Sequence, residues 1–257
     1  MYYIIQENLF REYHFKTLIE HLDRYKLEYE VIPFKPFTDE LEFKTTRKDV
    51  WAFGSVNLAS IAKKYDWNPG SMYNSNHDIC VYGPKYGENM LNHDGLIINF
   101  GDKVPDNYPE LFFARPTLDT KSFSGQVFSR MAWEEWSKEI DDSSLKQTLT
   151  NETKIQIAPL KNIQQEIRCW IVNGEPVTIS QYKIGSRVNY LNMDNNQEAE
   201  IFARNIAKLY CPAKAFVLDI CLCENEYKVL EINCINCSGF YDGNMSKLIQ
   251  ALENTFS

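Results

Sequence analysis

Two acidic residues near the C-terminal end of the chain occupy places where acids are costly. Leu218-Asp219-Ile220 and Val229-Leu230-Glu231-Ile232-Asn233 are apolar, strand-like runs, each carrying one carboxylate. A three-residue loop, Glu224-Asn225-Glu226, joins them into an antiparallel hairpin with Cys223 opposite Tyr227, and that register sets Asp219 opposite Glu231. Period-two alternation puts Asp219, Glu231 and Asn233 on one face, with Val217, Cys221 and Val229. Leu218, Ile220, Leu222, Leu230 and Ile232 point the other way, into a core. Buried, unpaired carboxylates are unfavourable and repel each other. A hard divalent cation resolves both difficulties. Magnesium takes a few carboxylate and amide oxygens and fills its remaining positions with phosphate oxygens and water. A solvent-facing side would also tolerate acids, but the apolar neighbours on this face argue for a metal site at Asp219, Glu231 and Asn233.

A metal–nucleotide site also needs cations for phosphate. Arg115 closes the apolar run Leu111-Phe112-Phe113-Ala114-Arg115, just before Pro116. Lys121 follows in Lys121-Ser122-Phe123-Ser124-Gly125, where small residues let backbone, and here Ser124, approach a phosphate closely. Arg168 lies in Glu166-Ile167-Arg168, and Lys183 ends the strand that returns after Asn173-Gly174. With a two- or four-residue turn, Glu166, Arg168 and Lys183 share a face; with three residues, Lys183 faces away. Arginine offers a planar fork for carboxylate or phosphate, and lysine a point charge. The stretch Ile155-Gln156-Ile157-Ala158-Pro159-Leu160 reads as a linker between lobes whose backbone can hydrogen-bond an adenine edge.

These side chains must be held by a scaffold, and the pattern gives its elements. Tyr2 to Ile5, Tyr29 to Pro36 and Val50 to Val56 read as strands, with helices over Phe10 to Leu27 and over Asn57 to Tyr65, the latter capped by Asn57. This alternation predicts a small α/β domain with a mainly parallel sheet. A polar joint over Asn68 to Asp106 contains a helix from Asp78 to Leu91. The second half carries strands at Leu111 to Arg115, Lys121 to Phe128 and Thr153 to Ala158, and a helix at Ser129 to Ile140 with Trp133 and Trp136. Asn173-Gly174 marks a hairpin between Glu166–Val172 and Val177–Lys183. A helix over Gln197 to Tyr210, the carboxylate hairpin and a helix over Met245 to Phe256 complete an α+β region. The expected division is residues 1–110 for the α/β domain and joint, and 111–257 for the catalytic domain.

Composition narrows the function further. The 257 residues carry 35 acids against 27 basic residues, a net charge of −8, which argues against general nucleic-acid binding. The eleven glycines spell neither of the common glycine-rich phosphate loops. The four histidines all precede residue 94, so there is no H-E-x-x-H zinc motif, and a Ser/His triad is not expected. Seven cysteines is an odd number, and no secretory leader or apolar run long enough to span a membrane is visible. The expectation is a cytoplasmic protein with reduced thiols. Cys221, Cys223, Cys234 and Cys237 raise one alternative, a zinc-stabilised binding module.

Taken in order, the motifs resemble the ATP-grasp superfamily. Arg115-Pro116 through Gly125-Gln126-Val127 resembles its Lys-Pro strand and small-residue loop. Residues 166–174, Glu-Ile-Arg-Cys-Trp-Ile-Val-Asn-Gly, are similar to the Asp-Ile-Arg segment of its glutamate-ligase branch, and the two carboxylate strands to its metal-binding pair. The likeness covers roughly residues 111–257 and is greatest to a compact phage and bacterial clade marked by two arginines and a lysine. It implies the ATP-grasp fold, two α+β lobes sandwiching ATP, after a small pre-ATP-grasp domain. It further implies magnesium on Asp219, Glu231 and Asn233, and phosphates on Arg115, Lys121 and Lys183. Arg168 would face an acyl phosphate or substrate carboxylate, and Ile157 and Ala158 the adenine. The implied activity is ATP-dependent joining of a small-molecule or peptide carboxylate to an amine or thiol. A kinase using the same site is the alternative. Two departures stand out: Arg-Pro replaces Lys-Pro, and Asn233-Cys234-Ile235-Asn236-Cys237-Ser238-Gly239 replaces the usual Asn-x-x-Pro-Gly.

Overall fold

The computed structural model describes residues 1–7, 12–33, 45–118, 122–141 and 149–257. The chain opens with strands β1 (Tyr2–Gln6), β2 (Glu28–Ile32) and β3 (Val50–Phe53), which form a parallel sheet in the order β2-β1-β3. Helices α1 (Glu12–Arg24) and α2 (Val56–Lys64) follow β1 and β3. β1 is buried on both faces, as a covered parallel strand must be. Ile4 packs with Leu58 and Ile61 of α2 on one side. Tyr3 and Ile5 pack with Leu18 and Leu22 of α1 on the other. The cap of α2 is Ser55, not Asn57: its Oγ accepts the Leu58 N–H, so the helix starts two residues earlier than the sequence pattern suggested.

α3 (Ile79–Tyr86) is capped by Asp78 and stops at Gly87, whose φ of +54° no helix continues through. The expected extension to Leu91 is therefore absent. Four antiparallel strands form the next sheet, in the order β4-β7-β5-β6: β4 (Leu96–Asn99), β5 (Leu111–Pro116), β6 (Gln126–Ser129) and β7 (Lys154–Pro159). α4 (Arg130–Asp141) covers one face, where Trp133 and Trp136 meet Phe100 and Phe128. The strand expected from Lys121 starts at Gln126.

The largest sheet is also antiparallel, β10-β9-β8-β11-β12: β8 (Ile163–Val172), β9 (Glu175–Ile184), β10 (Arg187–Asn192), β11 (Ala215–Cys223) and β12 (Glu226–Asn233). α5 (Gln197–Leu209) packs on one face, with α3 beside it. α6 (Met245–Phe256) packs on the other through Met245, Leu248, Ile249 and Leu252, all at most 3% exposed. Those four residues, at roughly 2 kcal/mol each for full burial, also contact Tyr3, Ile5 and Trp51, so α6 fastens the N-terminal sheet to the largest one.

α3 packs in the core of the largest sheet, and β4 pairs with β7, although both precede residue 111. These two elements of the polar joint therefore pack with the sheets of the second half. No described helix is long and apolar enough to cross a membrane.

Candidate active site

The β4–β7 sheet and the β8–β12 sheet face each other across a cleft of about 620 Å³. The carboxylate hairpin forms one wall. Its turn has two residues, not three: Glu224 and Asn225 both have positive φ, and Cys223 pairs with Glu226. A bulge at Leu230 then shifts the register by one, so Asp219 still lies opposite Glu231. The same bulge exchanges two neighbours. Leu230 lines the cleft beside Glu231, and Val229 turns into the core with Leu218 and Ile220, the reverse of strict alternation.

Asp219 is fully buried and is held by Arg168, its cross-strand partner on β8. Arg168 Nε donates to Oδ1 at 2.8 Å and Nη2 to Oδ2 at 2.7 Å, a bidentate pair. Arg168 Nη1 donates to the Gly239 carbonyl at 3.1 Å. The guanidinium lies against a stacked pair of tyrosine rings, 4.6 Å from the centre of Tyr241 and 5.8 Å from that of Tyr182, the two rings being 4.9 Å apart. Burial pushes the Asp219 carboxyl up to about 6, against the pull of Arg168. Burial alone would lower Arg168, but Asp219 outweighs it and keeps the guanidinium charged.

Glu231 is paired with Arg115, which reaches across the cleft from β5. Burial acts to raise this carboxyl, but Arg115 and the Asn233 amide prevail and hold it below the ordinary range. Asn233 Nδ2 bridges the two acids, donating to Asp219 Oδ2 and Glu231 Oε1, each at 2.9 Å. Rotating that amide turns its oxygen to the same point. Two carboxylates and an amide oxygen then converge, a hard donor set suited to magnesium.

Lys183 lines the cleft and donates to Glu166 Oε1 at 2.6 Å. The Asn173-Gly174 turn has two residues, and bulges at Val177 and Tyr182 keep Lys183 opposite Glu166. Ser124 also lines the cleft. Gly125 packs so closely on Phe113 that a Cβ would come within 2.6 Å of its ring. Lys121 lies outside the described residues.

The residues expected to border adenine lie within a sheet. Ile157 and Ala158 are fully buried, and Ile157 pairs with Leu96 on one side and Ala114 on the other, so its backbone is engaged within the sheet. Gln156 is buried and donates its amide to the Asn92 carbonyl at 3.2 Å, bracing a cleft residue rather than lining the cleft itself. The next residues, Pro159, Leu160 and Lys161, form the wall. Sequence reasoning also passed over Tyr182, Tyr241, and Glu166 as the partner of Lys183. Glu166 was detectable two residues before Arg168 on the same face; Tyr241 follows the segment 233–239 that departs from the family pattern and gave no signal.

The zinc alternative fails on distance. Cys221 and Cys223 pair with Lys228 and Glu226 near the turn, whereas Cys234 follows the far end of β12, about 20 Å or more along the strand. Among the described residues, no three His, Cys, Asp or Glu side chains form a metal-holding group.

No curated protein matches the sequence. Several solved structures share the fold. D-alanine–D-alanine ligase from Bacillus anthracis superposes with a TM-score of 0.65 at 11% identity, over 99% of this chain and 97% of that one. The ATP-grasp ligase PsnB, complexed with precursor peptide PsnA2 and AMPPNP, gives 0.60 at 11% identity, over 100% and 97%. The RimK domain ATP-grasp protein from Sphaerobacter thermophilus gives 0.60 at 10%, over 100% and 95%. At such identities the likeness is one of fold. A family described as an ATP-grasp domain, the third family of its clade, matches residues 66–252, most of the chain and all of the described cleft, so this protein belongs to the ATP-grasp family.

Proposed function

We propose that the protein is an ATP-dependent ligase that joins a carboxylate to an amine or thiol through an acyl phosphate. The observation that carries this reading is the convergence of Arg115, Glu231, Asn233 and Lys183 on one cleft between two lobes, with the buried pair of Asp219 and Arg168 directly behind it. Asp219, Glu231 and the Asn233 amide oxygen would hold magnesium, which supplies charge neutralisation at the phosphates. Arg115 and Lys183 would bind phosphate oxygens, and the Ser124-Gly125 turn would close over them. The backbone at Leu160 and Lys161, the first residues beyond the sheet, would meet the adenine edge.

Arg168 has five N–H donors, three of them directed at Asp219 and Gly239. The remaining two would orient the substrate carboxylate or the acyl phosphate. The reaction needs no protein nucleophile: the substrate carboxylate attacks the γ-phosphorus and ADP leaves. The amine or thiol then adds to the acyl carbon, and phosphate leaves. Positioning and charge complementarity are the protein's contribution. The structures of similar fold include a D-alanine–D-alanine ligase and a ligase complexed with a precursor peptide, which supports amino acids and peptides as the first substrates to try.

The test is a screen of amino acids and peptides for ADP release, with hydroxylamine present to trap an acyl phosphate as a hydroxamate. Mass spectrometry of the hydroxylamine-free reaction identifies the product. An amide or thioester product and a hydroxamate support the ligase. A stable phosphate ester with no hydroxamate would convert the reading to a kinase.

A further inference from the structure

The two ion pairs of the site differ in how firmly they are held. Arg168 and Asp219 are 9% and 1% exposed, doubly hydrogen-bonded, and covered by Tyr241. Arg115 and Glu231 are 17% and 28% exposed, and their pair spans the cleft from one lobe to the other. Glu231 Oε2 meets Arg115, and Oε1 accepts the Asn233 amide nitrogen. That nitrogen is a donor at the point where a metal ligand must present oxygen. The cluster is balanced, with two guanidinium cations against two carboxylates. A divalent ion entering with both pairs intact would leave two positive charges in excess in a half-buried cleft. One cation must therefore leave, and the more exposed pair is the one that can open.

Resting on the ATP–magnesium reading, we infer that Arg115 is an exchangeable counterion of Glu231. Without a divalent cation it neutralises this ligand and ties the lobes across the cleft. When a cation takes Glu231 and the rotated Asn233 amide, Arg115 is released to the nucleotide phosphates. Metal and nucleotide then bind cooperatively, because the metal removes the partner that keeps Arg115 from phosphate. By linkage, the nucleotide strengthens metal binding by the same factor.

The consequence has a distinctive sign: removing Arg115 should improve metal binding in the absence of nucleotide. The experiment measures Mn²⁺ affinity by electron paramagnetic resonance, with and without ADP, in the full chain. For Arg115→Gln the expected result is a roughly tenfold gain in Mn²⁺ affinity without ADP, within the usual range of such couplings. The enhancement of Mn²⁺ binding by ADP should shrink in proportion. Lys228→Gln removes the same charge from the strand that carries Glu231 but frees Glu226 rather than Glu231; it should leave the nucleotide-free affinity within about twofold. An equal gain in Lys228→Gln would reduce the effect to general electrostatics and overturn the inference. If Arg115→Gln does not fold, Arg115→Lys keeps the charge on a shorter side chain that must still span the cleft to Glu231, and a gain in the same direction is expected. Unchanged Mn²⁺ affinity in the folded Arg115 variant, with Mn–ADP binding intact in the wild type, overturns the exchange alone. A wild-type chain that binds neither Mn²⁺ nor Mn–ADP overturns it together with the ATP–magnesium reading.

Discussion

Arg168→Leu should destabilise the metal-free protein in a way that grows with pH. In the wild type the Asp219 carboxyl sits at about 6, against an ordinary value of 3.8, because burial opposes its charge while Arg168 supports it. Removing Arg168 takes away that support, and the buried carboxyl then keeps its proton to higher pH. The sign follows from proton counting. Above pH 6 the unfolded chain has released this proton, and the folded variant still holds it, so folding costs more as pH rises. Below pH 6 the folded wild type and the folded variant both carry the proton, and this contribution vanishes. Between pH 6 and 8 the penalty grows by up to about 1.4 kcal/mol per pH unit, reaching about 3 kcal/mol at pH 8. Lost hydrogen bonds and ring contacts of Arg168 add about 1–3 kcal/mol at every pH. Urea unfolding of both proteins in EDTA at pH 6, 7 and 8 gives the difference directly. The double variant Arg168→Leu/Asp219→Asn should lose the slope while remaining destabilised. A difference independent of pH, or one that shrinks as pH rises, would refute the reasoning about Asp219.

Asp194 gives the opposite pH behaviour. Burial opposes its charge, but Lys247, the Ile179 N–H and the Thr178 hydroxyl outweigh burial and hold it below 3.8. Its stabilisation is therefore present above pH 3.8 and is lost as pH falls below that value. Asp194→Asn should cost about 1–3 kcal/mol at pH 7, and its acid unfolding curve should converge with the wild-type curve below pH 4. Glu231→Gln should abolish detectable Mg²⁺-dependent ADP binding in calorimetry while moving the thermal midpoint by only a few degrees. Gly125→Ala would set a methyl against the Phe113 ring, so the cleft-lining Ser124-Gly125 segment must move; at least a fivefold loss of nucleotide affinity is expected, corresponding to about 1 kcal/mol.

The strands that carry chemistry were legible because their faces differ. β5 alternates Phe112 and Ala114 inward with Phe113 and Arg115 toward the cleft, and β11 sets Asp219 against Leu218 and Ile220. β4 and β10 were not read as strands. β4 exposes Leu96 and Ile97, and β10 exposes Val188 and Leu191, so neither presents one buried and one solvated face. Both are edge strands whose existence follows from pairing with β7 and β9, a tertiary fact absent from local pattern. The turn of the carboxylate hairpin was misjudged by one residue and the bulge at Leu230 was unseen. Each error shifts register by one, and the two cancel at Asp219 and Glu231 but not at Val229 and Leu230.

The site's acids were likewise easier to find than the groups that neutralise them. An acid in an apolar strand is an anomaly visible in one segment, and it calls for a partner without naming it. Arg168 lies 51 positions before Asp219, and Arg115 is contributed by the other lobe to Glu231. Both arginines were identified as phosphate or substrate ligands because cations at strand ends beside a metal face have that use. The structure shows each already committed to a carboxylate, so an anion either uses the donors that the pair leaves or displaces the pair. For Arg168, two N–H groups and a fixed plane remain after that commitment, which favours orientation of a bound anion without rearrangement. For Arg115, the pair with Glu231 is the more exposed of the two, and a metal taking Glu231 would open it. A description of this site by ligand identity alone therefore leaves out the order of events: the carboxylates and cations form one balanced set, and occupancy of either half changes what the other can bind.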